Sequence, residues 1–229
     1  MKKNDPFENV ITIDGPGGAG KSTLAQGLAH ALDWLCLDTG AIYRALALTL
    51  TELGLPDATP RAAGLTAQDM GLEFRREGAQ CRLFLHGREP GEALRAPEIG
   101  LLASAVSAWP EVRSALLPIQ RAAGREGRLV AEGRDMGTVV FPEARLKFFL
   151  VADLSVRAER RRLELAAQGV EVTLAKVTAE LKARDLADAT RSLAPLAPSP
   201  GAVTVDSTDM TVAEVLALAL QEAKETFDL

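Results

Sequence analysis

Residues Gly15 to Ser22 read GPGGAGKS and match the pattern G-x-x-x-x-G-K-[ST]. An apolar run, Val10 to Asp14 (VITID), stands before the motif and a helical pattern from about Lys21 to Leu32 stands after it. That order commits the chain to a strand, a phosphate-cradling loop and a helix near the start of a βαβ unit. Glycines let the backbone wrap a phosphate with its N–H groups pointing inward, and the helix start adds the positive end of its dipole. Gly15, Pro16, Gly17, Gly18, Ala19, Gly20, Lys21, Ser22 and Thr23 are therefore the expected nucleotide-holding residues. Lys21 suits the β and γ phosphates, and the Ser22 hydroxyl suits Mg²⁺. The guanine-reading motif of GTPase switches, Asn-Lys-x-Asp, is excluded, because Asn4 and Asn9 are the only asparagines and both precede the loop.

The rest of the pattern extends an α/β arrangement. Trp34 to Leu37 reads as a strand and Ala41 to Leu53 as a helix, so the chain opens β-α-β-α, the signature of a parallel sheet. Leu72 to Arg76 and Cys81 to His86 read as two short strands around Glu77 and Gly78, an antiparallel insert that suggests a small subdomain at about 64–95. Helix returns from Pro97 to Ala123, interrupted at Pro110. Leu129 to Ala131 and Leu146 to Ala152 are strand-like, Leu154 to Ala167 and Thr173 to Leu186 helical. Ala202 to Val205 is a last strand and Thr211 to Lys224 a last helix, with Thr211 and Glu214 placed for a capping box.

Composition narrows the partners. The chain has 229 residues, 47% hydrophobic and 25% charged, with a net charge of −5. That is the balance of a soluble globular domain. The acidic total argues against a long nucleic acid as ligand, which needs a basic stripe. Arginines outnumber lysines 19 to 7, a bias that either follows genomic composition or serves bidentate phosphate recognition. Cys36 and Cys81 sit in no CxxC pattern, and His30 and His86 stand apart from them, so no zinc site is expected. Residues Met1 to Asn9 carry no apolar stretch of a secretory signal, and no run reaches a membrane span, so a cytoplasmic location is expected.

Three arginine-bearing segments follow predicted strands, where open α/β sheets bind ligands. In DTGAIYRA, Thr39 offers a hydroxyl and Arg44 a guanidinium; Thr39 reads equally as a helix N-cap. In EGRDMG, Arg134 suits bidentate phosphate binding and Asp135 suits an exocyclic amine, with an internal Arg134–Asp135 ion pair as the alternative. Arg157, Arg160 and Arg161 are spaced i, i+3, i+4 on one helix face, where like charges repel unless an anion joins them or Glu159 and Glu164 relieve them. Arg184, Asp188 and Arg191 share another face, consistent with intrahelical salt bridges or with a ligand.

GPGGAGKST, DTGAIYRA, EGRDMGTVVFP, RDxxDxxR and VDST, in this order from about Val10 to Thr211, resemble the motif series of bacterial cytidylate kinases, within the nucleoside monophosphate kinases. The resemblance implies a five-stranded parallel sheet with helices on both faces, an NMP-binding insert and a helical lid. It divides a single domain, 1–229, into a core (about 10–60, 125–152 and 200–229), an NMP-binding region (about 61–124) and a lid region (about 153–199). It implies transfer of the γ-phosphoryl group of ATP to CMP or dCMP by a monomer, with Mg²⁺. Thr39, Arg44 and Arg134 would hold the CMP phosphate. Ser104, Arg113, Asp135 and Arg191 would surround cytosine, and Arg184 and Asp188 the ribose. Lys21, Arg134 and the lid residues Arg157, Arg160 and Arg161 would follow the moving charge. Ser104 and Arg113 rest on a looser motif, SAVSAWPEVR. PSPGA at 198–202 lacks the charged residue often present there. Another P-loop small-molecule or nucleotide kinase is the nearest alternative, and a nucleotide-responsive binding protein without turnover the rival of a different class.

Overall fold

The computed structural model describes residues 6–77, 80–125 and 127–229. Five parallel strands form its centre: β1 (Val10–Asp14), β2 (Leu35–Asp38), β5 (Leu129–Gly133), β6 (Leu146–Val151) and β7 (Val203–Asp206). An antiparallel pair, β3 (Leu72–Glu77) and β4 (Gln80–Leu85), completes the order β3-β4-β2-β5-β1-β6-β7. The expected hairpin is therefore present, with Gly78 outside the described residues. It is not a separate sheet. One parallel bridge, Cys36 to Gln80, makes it a continuation of the main sheet beyond β2.

Helices α1 (Lys21–Leu32), α2 (Thr39–Glu52), α3 (Pro60–Asp69), α4 (Pro97–Val106), α5 (Pro110–Ala123), α6 (Leu154–Ala167), α7 (Leu174–Thr190) and α8 (Val212–Phe227) connect and cover the strands. Two layers of core lie on opposite sides. One gathers Leu37, Ile42, Leu46, Met70, Val112, Leu116, Leu129 and Phe141. The other gathers Ile11, Ile13, Leu24, Leu28, Val130, Phe148 and Leu150. β1 is buried at every position, as a central parallel strand must be. A third, small cluster of Ala158, Leu165, Val177 and Leu181 holds α6 to α7.

Local signals explain half of the helix starts. Pro60, Pro97 and Pro110 each open a helix, where the missing N–H is no loss. The capping box is formed: Thr211 Oγ1 accepts from Glu214 N at 3.3 Å, and Glu214 accepts from Thr211 N at 2.8 Å. α7 runs four residues beyond the expected Leu186, so the RDxxDxxR segment lies within it and Arg191 becomes its C-cap.

Candidate active site

The parallel strands β1, β2, β5 and β6 end on one side of the sheet, and the loops there enclose a cleft of about 240 Å³. The phosphate-loop motif forms one wall. Gly18 (φ 76°) and Gly20 (φ 94°) take left-handed backbone that a side chain would resist. At Gly15 a Cβ would collide with the Leu150 carbonyl, so β1 can turn here only beneath glycine. Gly20 caps α1 without any side-chain bond, and the first turn of the helix, Lys21 to Thr23, lines the cleft. Gly17, Gly18, Gly20, Lys21, Ser22 and Thr23 line it. Of the rest of the motif, Pro16 contributes its carbonyl, which accepts from Lys21 Nζ at 2.8 Å, and Gly15 is packed beneath Leu150. Ala19 faces a second cavity instead.

Lys21 is 5% exposed, and its pKa falls to about 7. Burial is the main cause and the Arg134 guanidinium the second, opposed by the Glu132 and Asp14 carboxylates. Arg184 is pushed down to about 10, again by burial and then by Arg134. The cleft thus crowds cations closer than they would stand without an anion among them.

The cleft is also lined by Thr39, Arg44, Ser104, Arg113, Arg134, Asp135, Arg184, Asp188 and Arg191, so all nine residues singled out for a second ligand meet in it. Their mutual contacts differ from the pairings that periodicity suggested. Asp38, not Thr39, is the N-cap of α2: its Oδ1 accepts from Ala41 N at 3.1 Å. Thr39 instead donates to the Glu132 carbonyl at 2.7 Å, tying the start of α2 to β5. Arg134 and Asp135 do not pair with each other. Arg134 Nε binds Asp188 at 2.9 Å across 54 residues, while Asp135 takes Arg113 in a direct hydrogen bond and Arg191 at 3.7 Å. Burial pushes the Asp135 pKa up, and the two guanidiniums oppose it. Two buried donors in the cleft, Arg184 Nε and Arg191 Nη2, have no hydrogen-bond partner among the described residues.

The three arginines of α6 do not converge. Arg157 is buried and donates to the Ala152 carbonyl (2.8 Å) and the Gly17 carbonyl (3.1 Å), with Asp185 at 2.7 Å. Arg160 grips Ser207, through Oγ at 3.1 Å and the carbonyl at 2.8 Å. Only Arg161 lines the cleft, beside Glu164 at 3.1 Å. The expected single cationic face is resolved by separate partners: a helix face sets direction, while main-chain oxygens of neighbouring loops decide where each long side chain goes.

Two features escaped the sequence reading. The residues after Asp135 form a π-helical turn, Met136–Val140. Its first N–H groups, Met136 and Gly137, both donate to the Asp14 carboxylate at 2.8 Å. The second is a cavity of about 220 Å³ behind the phosphate loop, lined by Leu24, Leu150, Met210, Val212 and Val215 with Arg160 and Ser207 at its polar side. It shares Gly18, Gly20, Thr23 and Glu164 with the cleft. No motif marks it, because its apolar residues come from three separate stretches of chain.

Known proteins bear on this geometry. A family model described as Cytidylate kinase matches residues 11–225. A protein of Syntrophotalea carbinolica named Cytidylate kinase is 45% identical over 216 residues, which cover 94% of this chain and 92% of that one. One from Geobacter sp. (strain M21) is 46% identical over 218 residues, covering 94% and 93%. Another, from Dichelobacter nodosus, is 46% identical over 210 residues, covering 92% and 94%.

Proposed function

The chain belongs to the cytidylate kinase family, and on that premise we propose that it moves the γ-phosphoryl group of ATP onto CMP or dCMP, giving ADP and CDP or dCDP. One observation carries the assignment of both substrates to one cleft. In the cleft that the phosphate loop and Lys21 line, two buried arginine donors make no hydrogen bond among the described residues: Arg184 Nε, and Arg191 Nη2, which has only the Asp135 carboxylate at 3.7 Å. Unmet buried donors are costly, and an anionic, acceptor-rich ligand satisfies them.

In this reading the triphosphate lies along the loop and its adenine enters the apolar cavity behind it. Thr39, Arg44 and Arg134 hold the CMP phosphate. Ser104, Arg113, Asp135 and Arg191 surround the base, and Arg184 and Asp188 reach the ribose. The acceptor oxygen is already ionised at neutral pH, so the site needs no general base. Its work is alignment and neutralisation of charge on the transferring oxygens. Lys21, Arg134 and Arg161, which all line the cleft, supply that neutralisation in this reading. Arg157 and Arg160 join only by exchanging their carbonyl partners for phosphate, which is the closing movement assigned to a lid at about 153–199. The regions at about 10–60, 125–152 and 200–229 serve as core, and 61–124 as the acceptor-binding region. Closure excludes water, the competing acceptor.

Mg²⁺ fits the residues present. The Ser22 hydroxyl lines the cleft together with the carboxylates of Asp38 and Glu132, and the Glu132 pKa is raised by burial and then by repulsion from Asp38. A hydroxyl beside crowded carboxylates is an oxygen set that suits a hard cation, which in such sites takes most remaining ligands from phosphate and water. Ser22 would hold the ion, and the ion supplies charge neutralisation of the phosphates. No helix among the described residues is long and apolar enough to cross a membrane; we assign a cytoplasmic monomer with nucleotides, not nucleic acid, as its partners. A coupled ADP-release assay with CMP, dCMP, UMP, AMP and GMP tests the reading. Turnover fastest with CMP or dCMP is expected; preference for a purine monophosphate, or no ADP with any acceptor, overturns it.

A further inference from the structure

Asp14 ends β1 directly before the phosphate loop and is 2% exposed. Its two oxygens each accept one bond: Oδ1 from Met136 N and Oδ2 from Gly137 N, both at 2.8 Å. These N–H groups open the π-helical turn, whose own N-cap residue, Asp135, gives no side-chain cap bond. Orphan N–H groups at a helix start are satisfied by a nearby side-chain oxygen in ordinary caps. Here the oxygen comes from a strand more than a hundred residues earlier. Immediately before this turn stand Arg134 and Asp135; immediately after Asp14 stands the phosphate loop.

We propose that Asp14 is a positioning residue that fixes Arg134 and Asp135 at a set distance from the phosphate loop, and that its protonation loosens the acceptor side far more than the ATP side. The proposal rests on the function assigned above, since it requires that Arg134 and Asp135 face the acceptor.

The electrostatic setting makes the carboxylate a titrating one. Its pKa is raised to about 6 by burial, with the two N–H bonds opposing, and then by the Asp135 charge; Lys21 pulls it back. Lys21, from α1, and Asp135, before the turn, are the charged groups that face it. The flanking strands place Gly133 and Phe149 beside it, neither of them charged. Lys21 Nζ bonds to the Pro16 carbonyl, and among the described residues Asp14 makes no ion pair that would offset its burial. The folded-state pKa lies above the ordinary value. The ionised form therefore weakens the fold as pH rises through about 6, while the same ionised form makes both turn contacts. Stability and acceptor binding thus depend on Asp14 with opposite signs.

Asp14→Asn separates the two. Its carbonyl accepts one of the N–H bonds, and its amide hydrogens oppose the other. The expected result is a KM for CMP raised about ten- to a hundredfold, a KM for ATP that moves far less, since Asp14 is the last of the charges acting on Lys21, and a Tm at neutral pH that holds or rises. A purely structural aspartate predicts the reverse, a lower Tm with both KM values moved together, and that outcome overturns the proposal. The pH profile adds a second reading. The CMP phosphate itself takes a proton near pH 6 (about the value of other phosphate monoesters). With ATP saturating, log(kcat/KM) for CMP in the wild type should fall with a slope steeper by one proton than in the variant. Equal slopes overturn the idea.

Where the variant fails to fold, the wild type still decides. The Met136 and Gly137 amide resonances should titrate together with a midpoint near pH 6. Invariant shifts between roughly pH 5 and 7.5 would sink the proposal even if CMP kinase activity is found. Titrating amides in a protein that phosphorylates no CMP would instead sink the functional reading.

Discussion

Replacing Asp135 by Asn keeps its shape and removes its charge. Asp135 is 3% exposed and Arg113 8%, and Arg191 stands on its other side. Arg113 retains the Ser107 carbonyl at 3.2 Å, and Arg191 retains the Ala194 carbonyl. Neither bond cancels a charge. Two guanidiniums would then oppose each other in a nearly dry site, with Asp188 4.0 Å from Arg191 as the nearest remaining carboxylate. Removing one partner of a buried ion pair costs about 3–5 kcal/mol, and the retained amide oxygen points to the lower end. At about 2–4 °C per kcal/mol for a chain of this size, Tm should fall by roughly 6–12 °C. Base selection should weaken in parallel. A carboxylate accepts from the cytosine amine and repels the uracil carbonyl, whereas an amide can turn either end to either base. Arg113 and Arg191 donate only and so favour the N3 and O2 acceptors of cytosine. The loss for CMP should be about ten- to a hundredfold in kcat/KM, with a smaller loss for UMP. Thermal unfolding and steady-state kinetics on both substrates are the assays. A Tm change below about 2 °C would refute the electrostatic coupling of the three residues. A CMP/UMP ratio that stays at the wild-type value would refute the part given to Asp135 in reading the base.

Three further outcomes are expected. Lys21→Ala should nearly abolish turnover while CMP affinity, measured by calorimetry, stays close to wild type; wild-type turnover at saturating ATP would contradict the placement of Lys21 beside the phosphates. Because the Lys21 pKa falls to about 7 without ligand and a facing triphosphate favours the ammonium, ATP binding near about pH 8 should take up close to one proton, and near about pH 6 almost none. Calorimetry in two buffers of different ionisation enthalpy measures this, and no uptake at the higher pH would count against it. Gly15→Ala should destabilise by at least about 3 kcal/mol, since φ is 148° and the new methyl meets the Leu150 carbonyl; a near-wild-type denaturant midpoint would show that β1 can shift from β6.

Most of the fold was legible because strand and helix alternate and because the phosphate loop sets the first crossover. The boundaries that drifted have physical causes. α7 continues past Leu186 because Ala187 to Thr190 are all residues a helix accepts, and nothing stops it before Arg191. The apolar residues Met136, Val139 and Val140 gave no sign of a π turn, since its N–H groups are satisfied by Asp14 across the sheet rather than by a local cap. The cleft residues were recognisable by type and by position after strands. Their partners were not: Arg134 with Asp188 and Arg113 with Asp135 join segments that only the folded sheet brings together. The arginines of α6 show the same limit, for spacing placed them on one face and the Gly17 and Ser207 carbonyls then drew two of them apart.

The charge of the cleft has a kinetic consequence. Seven cationic side chains line it against five carboxylates, in a protein whose total is −5. The outer surface is therefore more acidic than the total suggests, and the cleft is a positive window in a negative shell. A small dianion is turned away from most of the surface and drawn inward at one place, where low-dielectric walls concentrate the field. Encounter with the acceptor should be faster than random collision allows and should slow as salt shortens the reach of that field. A long polyanion meets the same window but cannot enter it without laying its flanks against the acidic rim.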